Sequence, residues 1–416
     1  MAHTRLSLDQ NRRILPASLL LATTLVIAGC GGGGSGSDES SPGTSGACAG
    51  FDCGAMLENL SDNVMIPAMR QFQNESAAFS SAVVAWQAEP ANVALKETAQ
   101  TAWNETMLAW QSVEVMQTGP LVDNSSFLRD SIYSWPSTST CVVDQEVIKA
   151  EAEGVDYNIA GRTPLRKGLD ALEYILYTPT LDHTCPASTS STQNWNSQPG
   201  SEKLSARATY ALAAAGDIER LADELVRRWA TGTGSFRKEL LQAGSADSRF
   251  GSDQGAVNAI SDALFYVEKQ VKDTKLAEPL GIKNSKCTQG EPACADAVEN
   301  PFSGRSAQHI RQNLVAFRQI FLGNDTDGNE GPGFDDLIDS ASGENVSASM
   351  EADINEALAA VDQLGQPLRE AVTDPEGVNL AKGIHESTKK ITDRLKKDFL
   401  AVLGLSIPAA AAGDGD

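Results

Sequence analysis

The residues 202–230, "EKLSARATYALAAAGDIERLADELVRRWA", place apolar side chains at steps of three and four for their whole length. That spacing lines one face of a 3.6-residue helix and cannot line a strand, whose faces alternate at a period of two. The same spacing runs through 55–87, 89–116, 255–281, 306–323, 347–365 and 375–405. The 89–116 segment opens on Pro90, favoured in a helical first turn, and 255–281 closes on Pro279 and Gly281. Alternating Val, Ile and Thr runs do not occur. The chain is therefore read as all-α, with more helix than one ordinary bundle takes, so two packed helical halves are expected. The Gly- and Ser-rich stretch 231–255 marks the boundary, giving halves 47–240 and 241–416.

Residues 1–29 stand apart from this pattern. Arg12 and Arg13 precede an apolar run that stops at Cys30, too short for a good membrane span and shaped like an export signal. "LVIAGC", 25–30, has the form of a bacterial lipobox, which predicts cleavage before Cys30 and lipidation on it. Gly31 rather than Asp follows, the pattern that sorts to the outer membrane. Residues 30–46 are Gly- and Ser-rich and read as a flexible tether between lipid and folded chain. The expected location is thus an exported lipoprotein held at the outer membrane by its lipid anchor.

The formal net charge of -22 repels nucleic acid and anionic headgroups and favours cationic partners, metal ions among them. Of seven cysteines, six remain after Cys30. Six allow fifteen pairings, and an exported chain makes disulfides the default over a zinc site. Order along the chain predicts Cys48–Cys53, Cys141–Cys185 and Cys287–Cys294.

"RKGLDALEYILY", 166–177, raises the question of function. As a helix it carries Leu169, Leu172, Ile175 and Leu176 on one stripe. Asp170, Glu173, Tyr174 and Tyr177 occupy the adjacent stripe. Two carboxylates so placed share a proton, pair with Arg, or hold a metal. Arg162 and Arg166 are the candidate counter-charges, and the two tyrosines are expected to offer hydroxyls to the same pocket. Asp170 also suits the first turn of a helix, where an acid meets the dipole. The pair is expected in a polar cleft where the halves meet. "DTDGNEGPGFDD", 325–336, resembles a calcium loop but has Glu330 where Gly is needed, so an Asp-rich turn is the better reading.

"GLDALE" resembles the G-x-H-x-x-E signature of the imelysin-like proteins, with Gly168, Asp170 and Glu173 on the motif and Asp170 in place of His. The segments "IYSWPSTSTCVVDQEV" (132–147), "NPFSGRS" (300–306), "GPGFDDLI" (331–338), the terminal "DGD" (414–416), and Trp103 and Trp110 followed by "GPL" (119–121) resemble that family in the same order. The resemblance implies a duplicated, four-helix-bundle-like fold and an exported bacterial protein. It also implies either a metallopeptidase or a non-enzymatic role in iron acquisition. That role would be to bind iron, an iron complex or an outer-membrane iron-uptake receptor. The Asp/Glu pair is a hard, all-oxygen donor set, suited to iron(III) or another divalent or trivalent ion. Zinc peptidase chemistry wants His ligands, and the scattered His183, His309 and His385 form no H-E-x-x-H arrangement. A partner-binding helical module without a metal is the remaining alternative.

Overall fold

A computed structural model describes residues 46–283 and 293–408. The leader, Cys30, nearly all of the tether, Cys287 and the terminal "DGD" lie outside the described residues.

Helices come in the order α1 Cys53–Asn59, α2 Ile66–Ala88, α3 Val93–Glu114, α4 Asp123–Ile132, α5 Thr140–Glu153, α6 Leu169–Tyr177 and α7 Gly200–Ala230. They continue as α8 Phe236–Leu241, α9 Asp253–Leu264, α10 Ser306–Leu322, α11 Phe334–Ser340, α12 Glu344–Asp362, α13 Leu368–Ala371, α14 Pro375–Arg394 and α15 Leu400–Leu403. Among the described residues there is no β-strand. Wider π-helical turns occupy Leu60–Met65, Val267–Ala277 and Leu395–Phe399. No helix among the described residues is long and apolar enough to cross a membrane.

The first half is built on α2, which packs along both α3 and α7, with α5 and α6 against α7. Trp86, Trp103, Trp110, Trp229, Phe72 and Phe79 are fully buried there. In the second half α12 packs on α14, and both close over α10 and the π-helical turn. The halves meet where α10 lies on α3. The boundary expected at residue 240 falls inside the short helix α8.

Two of the expected disulfides are present, Cys48–Cys53 and Cys141–Cys185. Cys294 is disulfide-bonded as well. The Asp-rich turn is confirmed as a turn. Asp325 accepts from the backbone of Asp327 and Asn329, and Asp336 accepts from Gly333 N at 3.0 Å at the start of α11. These carboxylates serve the local backbone.

The motif helix α6 begins after Gly168, whose backbone stands at φ 105°. It ends at Thr178, because a residue before proline is pushed to extended backbone. Its stripe of Leu169, Leu172, Ile175 and Leu176 is buried. Side chains of α3 hold both its ends. Trp103 Nε1 donates to Leu169 O at 2.9 Å, and Gln100 Nε2 donates to Leu176 O at 2.8 Å.

A candidate ligand cavity between two motifs

Asp170 and Glu173 reach one cavity of about 480 Å³, between the first half and the 296–302 segment of the second. Trp135, Tyr174 and Phe302 give it aromatic walls, and Glu299 and Arg369 also line it. The ion pair of Arg369 with Asp296, 2.6 Å, is half open to solvent.

Both carboxylates are held by neutral donors. Ser134 Oγ donates to Asp170 Oδ2 at 3.0 Å, and the Ala171 N–H donates to Oδ1 at 3.0 Å. Glu173 accepts from Ser303 N at 2.8 Å, Phe302 N at 3.2 Å and Asn300 Nδ2 at 3.3 Å. These donors are free because the chain turns at 300–304, with Gly304 at φ 72°, before α10 begins. "NPFSGRS" is thus a cap for the glutamate of the first motif. Among the described residues neither acid has a cation within salt-bridge distance. Burial pushes Asp170 up to about 6, against the hydrogen bonds from Thr138 and Ser134. Burial pushes Glu173 up to about 7, against the donors at Ser303, Asn300 and Phe302.

The expected counter-charges are elsewhere. Arg162 pairs with Glu146 and Glu153 at 3.1 and 2.8 Å, and Arg166 pairs with Glu146 at 2.7 Å. Glu146 on α5 is the nearer and better-placed acid for both, so neither arginine belongs to the pocket. The hydroxyls also turn away. Tyr174 donates to Asp144 Oδ1 at 2.9 Å and has Arg207 Nη2 at 3.2 Å. Its ring alone lines the cavity, packed on Phe302 at 5.3 Å between centroids. Tyr177 donates to Gln100 O at 2.8 Å, satisfying a backbone carbonyl of α3.

Behind the cavity lies a layer that sequence reading missed. Asn300 gives its amide N–H to Glu173, so its Oδ1 must accept from His309 Nδ1, 2.5 Å away. Burial, with Lys275 and Arg305 nearby, holds His309 well below the usual imidazole range. Glu299, 1% exposed, accepts from Lys275 at 2.8 Å, Tyr133 at 3.1 Å and Gln111 at 3.1 Å. Lys275 also reaches Gln111, Glu114 and Asn313. Its signals in the sequence are Asn300, at the head of "NPFSGRS", and polar residues such as Gln111, Lys275 and Asn313 on otherwise apolar helical faces.

The family model described as Imelysin matches residues 65–395. The chain belongs to the imelysin family. This imelysin-family chain is 24% identical over 275 residues to "Iron-regulated protein A" of Synechococcus elongatus, a match covering 65% of each chain. It thus spans just under two thirds of that relative's length. Its fold is that of two crystal structures. One is of a protein assigned as an iron-regulated protein A precursor from Parabacteroides distasonis. The TM-score is 0.65 at 17% identity, over 88% of this chain and 97% of the other. The second is an imelysin-like protein from Psychrobacter arcticum, with a TM-score of 0.60 at 17% identity, over 86% and 96%.

Whether the donor set suits a bare metal ion can be tested on the geometry. Among the described residues no group of three or more His, Cys, Asp or Glu side chains is placed to hold an ion. Asp170 and Glu173 already accept hydrogen bonds, and His309 is committed to Asn300. A closed ionic site of the kind iron or zinc takes in a protein does not fit these residues.

Proposed function

We propose that this chain is an exported lipoprotein of the imelysin family that serves iron acquisition by binding an iron complex in the cavity between "GLDALE" and "NPFSGRS". The observation that carries the reading is the cavity itself. It has room for an organic ligand, aromatic walls and two buried acceptors, but too few ligands for a naked ion. The similarity to "Iron-regulated protein A" supports the iron-related role. The lipobox ending at Cys30 supports anchoring at the outer membrane, where a ligand-loaded chain would meet an iron-uptake receptor. The chemistry this reading needs is binding and release, with no bond made or broken.

The test is equilibrium dialysis of the purified protein against iron(III) alone and against iron(III) complexes of hydroxamate and catecholate chelators, with iron counted on both sides. Retention of a complex, with loss of retention in a Phe302→Ala, Trp135→Ala double variant, is expected. Stoichiometric retention of unchelated iron, or no retention of any complex, overturns the reading.

A further inference from the structure

We infer that the ligand of this cavity presents an organic cation, a protonated amine, to Asp170 and Glu173. The inference rests on the cavity being the ligand site, as proposed above, and adds the ligand's chemical class. Two buried carboxylates normally meet a positive charge, because neutral donors offset only part of the lost hydration. Here the arginines nearest in sequence are bound to Glu146, and Lys275 is bound to Glu299. Arg369 is bound to Asp296 at the rim. Among the described residues Asp170 and Glu173 have neutral donors alone.

A second observation points the same way. Glu299 also lines the cavity and is 1% exposed; its Oε1 is paired with Lys275, while among the described residues its Oε2 has no hydrogen-bond donor, His309 Nδ1 standing 3.9 Å away. A buried acceptor of this kind is uncommon in a folded protein. An ammonium carries three N–H donors and no acceptor, which matches a site made of acceptors. The walls match as well. Trp135, Tyr174 and Phe302 line the cavity with aromatic surface, which suits the alkyl chain that bears an amine, and the Tyr174 ring already carries one cation, with Arg207 at 5.1 Å from its centroid. A metal ion would want more oxygen ligands in a shell; an alkylammonium wants this mixture.

The test is calorimetric titration of the purified protein with three probes. They are 1,5-diaminopentane, the iron(III) complex of a linear trihydroxamate ending in a primary amine, and the same complex with that amine acetylated. The amine complex is expected to bind at least about tenfold more tightly than the acetylated one. Glu173→Gln and Asp170→Asn should each reduce the ratio of the two affinities towards one. Both substitutions keep the shape of the side chain, and the comparison of the two complexes on the unaltered protein needs no variant at all. Equal binding of the two complexes overturns the amine and leaves the iron-complex reading standing. Binding of diaminopentane alone, lost in Glu173→Gln, supports the amine and overturns the iron complex. Absence of binding by both amine probes overturns the inference.

Discussion

At Gly168 a side chain has nowhere to go. A Cβ would lie 2.7 Å from Asp170 Oδ1 and 2.9 Å from Ile132 O, on a backbone with φ 105° and ψ 178° that only glycine adopts readily. Gly168→Ala is expected to cost about 3 kcal/mol by denaturant unfolding and to weaken ligand binding by moving Asp170. Full stability in that variant would show that the turn before α6 relaxes freely. The two acids make a separate prediction. Each has a folded pKa above its unfolded value, about 6 for Asp170 and about 7 for Glu173. Such a group favours folding below its unfolded pKa, and that contribution is lost as pH rises through the folded pKa. Stability of the ligand-free protein should therefore fall between about pH 4 and pH 7, by on the order of 3 kcal/mol per group. The slope should be clearly shallower in Glu173→Gln. Parallel unfolding curves for the two proteins across that range would contradict the assignment.

Element by element, the helices were plain in the sequence, because each long one buries a continuous stripe at helical spacing. The fold class and the motif helix followed from that periodicity. The pocket around it did not. Arg162 and Arg166 were assigned to the acids nearest in sequence, whereas α5 brings Glu146 between them. The donors that hold Glu173 are backbone amides more than a hundred residues away, and a backbone amide leaves no mark in a sequence. Ser134, which holds Asp170, lies in the 132–147 segment singled out by resemblance, but nothing in that segment marks it as the donor to Asp170. The Cys141–Cys185 bond fixes α5 to the chain that leaves α6, across a separation of 44. Replacing both cysteines with serine is expected to lower unfolding free energy by about 4 kcal/mol in the chain-entropy account. A loss below about 1 kcal/mol would mean that α5 and α6 are already held by their packing on α7.

For the molecule as a whole, the decisive contact is the buried cluster around Lys275. It joins Gln111 and Glu114 of α3 to Asn313 of α10 and to Glu299 beside the cavity. Lys275→Met would leave Glu299 buried without its cation, at a cost of about 3–5 kcal/mol. Because the cluster spans α3 and α10, residues on both sides of it should unfold in one calorimetric transition in the parent. Two resolved transitions in the parent would show that the halves are independent. The capping of Glu173 by Phe302 and Ser303 also dictates a timetable. A chain that emerges N-terminus first brings Cys141 and Cys185 together while residue 303 is still unmade. During that interval the glutamate is hydrated and the pocket has only one wall. A ligand that needs both walls can therefore be captured only by a chain made through residue 303, and a nascent or truncated one offers it half a pocket.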